Sequence, residues 1–137
     1  MIHPFNKIHG IELMSPLHKM AMKTKARYDQ KFSGFISDYP ELFPHFKGLV
    51  PEINYIKGSF FDIDFTKASV VYSNSTLFSD EIYKFIFSKV QELPSGSIHI
   101  NICDYMPEEY TKNWECINPF SRLMSWGTSE ILIYRKK

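Results

Sequence analysis

Apolar positions along this chain come in short runs separated by polar punctuation, and that rhythm predicts alternating strands and helices. Ile8 to Leu13 is one such run and predicts a strand buried on both faces, with a helix start left open by periodicity alone. Ser15-Pro16 opens a helix over about 16–30, with serine at the N-cap and proline at the first helical position. Leu17, Met20, Ala21, Thr24 and Tyr28 keep helical spacing and predict its inner stripe. Lys19, Lys23, Lys25, Arg27 and Lys31 lie mostly off that stripe and read as a solvated face.

Residues 32–53 carry several aromatics with prolines and glycines among them. Proline forbids a long helix or a central strand, so this stretch reads as a loop with one short helical turn. Its aromatics either cover the edge of the core or face a substrate. Strands follow at about 54–57 and 69–73, the first ended by Gly58. Ser79 caps a helix over 80–93, with Asp80 and Glu81 in the first turn where the helix dipole favours acids. Ile82, Phe85, Ile86, Val90 and Leu93 form its apolar stripe, and Pro94-Ser95-Gly96 stops it. A strand at 97–102 comes next. Strands at 114–118 and 129–134 pair as an antiparallel ribbon. The pattern is α/β with a terminal hairpin, without internal repeats.

Composition narrows the class. A chain of 137 residues with 44% hydrophobic and 23% charged positions fits one globular domain. A net charge of +1 gives no broad footprint for nucleic acid, and the basic tail Arg135-Lys136-Lys137 reads as a solvated end. No run approaches a membrane span, and the first residues do not form a secretory signal. Cys103 and Cys116 have neither disulfide-framework nor zinc spacing and read as buried thiols in a reducing, intracellular compartment. His18, His45 and His99 show no metal spacing and no paired nucleophile, so they read as incidental.

Two positions stand where chemistry belongs in such a fold. Ligands of open parallel sheets sit outside the carboxyl ends of the strands. Glu12 ends the first strand, where a carboxylate is either a plain exposed acid or an acceptor for a ribose diol. Asn74 ends another, where it is either an Asx-type turn before the Ser79 helix or a polar group at a site.

Taken in order, these pieces resemble a known family. Ile8-His-Gly-Ile-Glu12 with the helix after it, Gly58-Ser59-Phe60-Phe61, Ala68-Ser-Val-Val-Tyr-Ser-Asn74-Ser-Thr-Leu-Phe78 and Met124-Ser125-Trp126-Gly127 resemble class I S-adenosylmethionine-dependent methyltransferases. The nearest likeness is to histone-lysine methyltransferases of the disruptor-of-telomeric-silencing type and their small protist relatives. The resemblance implies a Rossmann-like α/β sheet with a C-terminal antiparallel hairpin, and S-adenosyl-L-methionine as cofactor. It implies that Glu12 binds the ribose and that Phe60 flanks the adenine. Ser59 stands where the family has an aspartate for the adenine amino group. Asn74 is implied beside the transferring methyl as the catalytic residue, and Phe78 and Trp126 on the substrate side. Trp126 reads as a hairpin core residue ahead of a direct ligand contact.

The acceptor implied is a protein lysine, with small-molecule methylation left open; a histone acceptor would place the chain in the nucleus, and any other in the cytoplasm. The family's first strand and glycine-rich turn, which would lie between the strands of Glu12 and Asn74, have no counterpart upstream of Ile8. Residues 1–137 are therefore expected to be a single, N-terminally incomplete domain. The strands at Glu12 and Asn74 should be separated or abnormally paired. A partner chain or upstream segment would supply the missing strand. A non-catalytic binding or structural remnant of the fold is the alternative reading. A different nucleotide-binding α/β protein is a third, which no phosphate-cradling loop supports.

Overall fold

The computed structural model describes residues 5–42, 44, 50–102 and 105–137. The chain divides into two compact units, Met1–Ile63 and Asp64–Lys137.

The first unit is a β-helix-β arrangement. Strand β1 (Lys7–Glu12) pairs in parallel with β2 (Glu52–Lys57), in the register Lys7↔Glu52 to Glu12↔Lys57. Gly10 lies opposite Tyr55, whose ring covers it. A Cβ at Gly10 would stand 2.6 Å from Tyr55 Cδ1, so the strand needs glycine there. β1 is not buried on both faces as its apolar run predicts: its first three residues are exposed and its last three half-buried.

Helix α1 (Ser15–Arg27) starts one residue earlier than predicted. Met14, not Ser15, holds the N-cap position, and no side chain caps there. Pro16 is harmless because it falls in the first turn, where no intrahelical N–H is needed. The inner face also differs. His18, Ala21, Lys25 and Tyr28 are the half-buried positions, whereas Leu17, Met20 and Thr24 are exposed. The two stripes are offset by about one residue, or roughly 100° around the helix. His18 fixes the choice, with Nε2 3.4 Å from the Tyr55 carbonyl oxygen of β2.

Residues 32–42 are helical rather than loop. A π-helical turn (Tyr28–Phe32) carries α1 into α2 (Ser33–Asp38), and a 3-10 turn (Pro40–Leu42) follows. Proline escapes its usual penalty because Pro40 opens the 3-10 turn, and Gly34 sits in the first turn of α2. His45 and most of 43–49 lie outside the described residues.

The second unit is a five-stranded mixed sheet with one main helix. β3 (Val70–Asn74) is parallel to β4 (Ile98–Ile102). β7 (Gly127–Lys136) runs antiparallel to β4 on one side. On its other side it takes β5 (Trp114–Cys116) and then β6 (Phe120–Met124). Pairing of β5 with β7 meets the predicted ribbon. β6 is an extra strand, unforeseen because its middle residues are exposed and lack apolar alternation. A short helix α4 (Glu108–Thr111) precedes β5.

Helix α3 (Asp80–Val90) buries Ile86, Phe87 and Val90, with Leu93 buried just beyond it. Ser79 occupies its N-cap position without a side-chain cap bond. At its other end the Lys136 ammonium donates to the carbonyls of Gln91 and Leu93, where the helix dipole favours a cation. Lys136 is thus a structural cap and not part of a solvated tail. Trp114 Nε1 donates to Gln91 Oε1 at 3.0 Å.

β1 and β2 form one sheet and β3 to β7 another. The four parallel strands expected in one sheet therefore fall into two pairs. Cys116 is exposed, which corrects the buried-thiol expectation: it shares the face of Trp114 and Tyr134 but lies at the end of the edge strand β5. Cys103 lies outside the described residues.

Candidate functional site

In the first unit, the parallel register brings Glu12 level with Lys57, and the Gly58 N–H donates to the Glu12 carbonyl at 3.1 Å. The Gly58-Ser59-Phe60 turn is thereby attached to the end of β1, so Glu12, Ser59 and Phe60 share one carboxyl rim. Glu12 Oε1 accepts the Met14 N–H at 2.7 Å and so closes the turn into α1. That is a structural task for one oxygen, and Glu12 Oε2 makes no hydrogen bond among the described residues. Ser59 Oγ accepts the Phe61 N–H at 3.2 Å. Phe60 stacks on Phe61 with centroids 4.9 Å apart and planes 24° from parallel. Phe61, at 46% exposed, offers more open ring than half-buried Phe60. Phe61 was not singled out in the sequence, where only its place beside Phe60 marks it.

In the second unit, Asn74 is the last residue of β3. Its Oδ1 accepts from Thr76 Oγ at 2.6 Å, which realises the Asx-type turn reading. An amide oxygen has two lone pairs, so this bond leaves room for a second donor. The neighbours of Asn74 are anchored in a buried polar cluster. Asn101 Oδ1 accepts from Ser73 Oγ at 2.7 Å and from Ser75 Oγ at 2.8 Å. Ser75 Oγ also lies 2.9 Å from the Ile102 carbonyl, and the Tyr83 hydroxyl donates to the Ser75 carbonyl at 2.7 Å. Two hydroxyls on one amide oxygen hold the strand end from both sides of Asn74.

His99 belongs to this cluster and is not incidental. It is fully buried, with Nε2 3.1 Å from Ser73 Oγ and its ring against Phe87, Trp114 and Tyr134. Because Ser73 spends its proton on Asn101, His99 Nε2 is the donor to Ser73, which leaves Nδ1 as a bare acceptor. Nδ1 indeed has no partner among the described residues. Burial pushes the His99 pKa down to about 4. Nothing in the local sequence marks this residue except its alternation with apolar neighbours on a strand.

Phe78 is half-buried and meets Tyr83 edge-on at 6.4 Å. Beside them Asp80, Tyr83, Lys84, Phe87, Tyr105 and Pro107 line a groove of about 190 Å³. It lies where α3 begins and the segment after β4 resumes. A hydrogen bond to Glu130 raises the Tyr105 phenol above its ordinary pKa. Trp126 sits in the turn between β6 and β7, 53% exposed, with Nε1 3.1 Å from Ser129 Oγ. It is therefore not a hairpin core residue. The register aligns Asn74, Ile102 and Ile131, so the β6–β7 arm projects past the rim that carries Asn74. Trp126 stands five residues beyond Ile131, roughly 16 Å along an extended strand.

Among the described residues no cluster of His, Cys, Asp or Glu is arranged to hold a metal, and no helix is long and apolar enough to cross a membrane.

No family model and no curated protein matches this chain. Solved structures do. An RNA methyltransferase from Salinibacter ruber, in complex with S-adenosyl-L-homocysteine, is 14% identical with a TM-score of 0.55, over 94% of this chain and 65% of that one. A candidate methyltransferase, yhhF of Escherichia coli, is 10% identical with a TM-score of 0.61, over 96% of this chain and 64% of that one. A candidate methylase of Haemophilus influenzae is 14% identical with a TM-score of 0.56, over 96% of this chain and 73% of that one. The chain thus spans slightly less than two thirds of the first two structures. These likenesses give no support to a histone-lysine enzyme. At such identities the likeness is one of fold: the chain has the Rossmann-like α/β fold of class I methyltransferases, with its C-terminal antiparallel hairpin.

Proposed function

We propose that this chain is an S-adenosyl-L-methionine-dependent methyltransferase domain. One observation carries the reading: Glu12, Ser59 and Phe60 in one unit, and Asn74 in the other, each end or follow a parallel strand at its carboxyl side. They do so in the chain order that the sequence resemblance implies. The donor set suits the cofactor. Glu12 keeps one carboxylate oxygen for the ribose hydroxyls. Phe60 and Phe61 present a flat apolar surface for the adenine, and the Ser59 hydroxyl is an uncharged acceptor for its amino group.

The cofactor supplies an activated methyl on a sulfonium. Asn74 accepts a hydrogen bond from the acceptor nitrogen, orients its lone pair at the methyl carbon and holds the amine while the new bond forms. When bound, the cofactor would take the electron pair of the broken bond on its sulfur, and the acceptor nitrogen would shed its proton to solvent. Phe78 and Trp126 are the substrate-side residues of this reading. Ser73, Ser75 and Asn101 keep the end of β3 fixed, which matters because transfer depends on alignment more than on acid–base chemistry.

Two acceptor classes follow from different supports. The sequence resemblance favours a protein lysine, a histone among the substrates, with nuclear residence as its corollary. The fold likeness to an RNA methyltransferase favours RNA. A second reading, a non-catalytic remnant that takes a strand from a partner, is supported by the pairing of β1 with β2 alone and β3 with β4 alone among the described residues.

Calorimetric titration with S-adenosylhomocysteine tests the proposal. Binding that Glu12→Ala weakens by about tenfold to several hundredfold is the expected result. Absence of binding by the unaltered chain up to millimolar concentration overturns it and leaves the remnant reading. Labelled-methyl transfer to core histones and to RNA separates the acceptors.

A further inference from the structure

The outer side of the first helical run carries a pattern that methyl transfer does not use. Every fourth residue from 19 onward reads Lys19, Lys23, Arg27, Lys31, Phe35, Tyr39. The backbone stays helical from Ser15 to Asp38 through the π turn, so the first five of these residues follow one another along a single rod and Tyr39 stands just past its end. All six are exposed, Phe35 at 41% and Tyr39 at 46%. Helix α1 contains no acidic residue. The Asp29 carboxylate bridges to Lys25, at 2.5 Å, which lies on the inner face. The four outer cations make no ion pair or hydrogen bond among the described residues. Successive like charges at i and i+4 repel and weaken a helix. Such a row is costly alone and becomes favourable against a line of anions.

The aromatics decide which line. Here the rings of Phe35 and Tyr39 meet at a tilt of 43°, with centroids 4.9 Å apart, and Phe32, 36% exposed, precedes them. A cationic track that leads to an aromatic platform is how proteins hold a single nucleic-acid strand: phosphates on the cations, bases on the rings. An acidic peptide would use the cations and leave the rings idle. Duplexes keep their bases stacked inside, and single-stranded RNA is the form in which unstacked bases are ordinarily on offer.

We infer that the outer face of residues 19–39 binds single-stranded RNA, with Lys19, Lys23, Arg27 and Lys31 on consecutive phosphates and Phe35 and Tyr39 against bases. This goes beyond the methyltransferase reading and does not depend on it.

Fluorescence anisotropy with a labelled single-stranded RNA of roughly 12 nucleotides, without cofactor, tests the inference. Four phosphate contacts on a single strand contribute about −3 to the slope of log K against log salt. The variant carrying Lys19→Gln, Lys23→Gln, Arg27→Gln and Lys31→Gln should lose that slope while keeping its helical circular dichroism, since glutamine is a good helix former. Tyr39→Ala should weaken binding by about 5- to 100-fold with the slope unchanged. An unchanged slope in the fourfold variant overturns the inference. So does duplex RNA, DNA of the same sequence or polyglutamate binding as tightly as the RNA strand. S-adenosylhomocysteine titration of the same preparations reads the cofactor site separately, so either proposal can fail without the other.

Discussion

The two units share one grammar of strand, helix and parallel strand, yet they are held by different means. The second has a packed core of Ile86, Phe87, Val90, Leu93, Ile102, Met106, Trp114, Leu132 and Tyr134. In the first, Ile36 is the one large apolar side chain described as buried, while Leu13, Met14, Leu17, Met20 and Met22 are all exposed. Burial of apolar area stabilises at about 25 cal/mol per Å². The second unit therefore carries most of the hydrophobic stabilisation. The first relies on the β1–β2 ladder and on close fits such as Tyr55 over Gly10. A strong helical pattern in sequence says where a helix forms and not whether its apolar side is covered.

Leu132→Ala should sharpen that contrast most. Leu132 is fully buried, so its truncation should cost about 2–5 kcal/mol in chemical denaturation, whereas Leu17→Ala, nearly half exposed, should stay within about 0.5 kcal/mol. Equal losses would mean that the first unit has a core as firm as the second.

Acid should act on the second unit through His99. Its folded pKa of about 4 lies below the ordinary value of 6.5, so the unfolded chain binds the proton more readily. Stability from this group is complete above pH 6.5 and declines as pH falls toward 4, at up to about 1.4 kcal/mol per pH unit. His99→Phe should flatten stability against pH in that window. A slope that survives the substitution would assign the acid sensitivity to other groups.

Gly10→Ala tests the first unit. The added methyl meets the Tyr55 ring at 2.6 Å and should cost about 1–3 kcal/mol. Tyr55→Ala in the same chain should recover much of that loss, and additive losses in the double variant would refute a clash. A smaller effect should come from Lys136→Met, which removes the cation at the end of α3. About 1 kcal/mol or less is expected by thermal melting.

Strand positions and the residues at their carboxyl ends were legible because they rest on apolar runs and stop signals that act locally. Val70–Asn74 and Ile98–Ile102 lie within one residue of their sequence-based bounds. What escaped was decided by tertiary partners. The buried side of α1 was set by His18 against Tyr55, not by the best apolar stripe. Residues 33–42 folded as helices because Gly34 and Pro40 happen to fall in first turns. β6 exists because β7 is long enough to pair with both it and β5. At the site, Asn74 and Glu12 stood out by position. The cluster of Ser73, Ser75, His99 and Asn101 did not, because its members are commonplace alone and meaningful only across two strands.

β7 pairs with β4, β5 and β6, and it is made after all three. During synthesis, β5, β6 and the side of β4 away from β3 must wait for residues 127–136 before their ladders can close, whereas β4 can pair with β3 beforehand. At about 5–20 residues per second, the interval from the end of β4 to the end of β7 is roughly 2–7 seconds. Through that interval the aromatic and isoleucine-rich strands of the second unit are exposed to the ribosome surface and to chaperones, while the ladder of β1 and β2 has long been available to form. The order of strands in the chain thus makes the better-packed half of the molecule the later one to fold, and the half whose yield depends most on what surrounds the nascent chain.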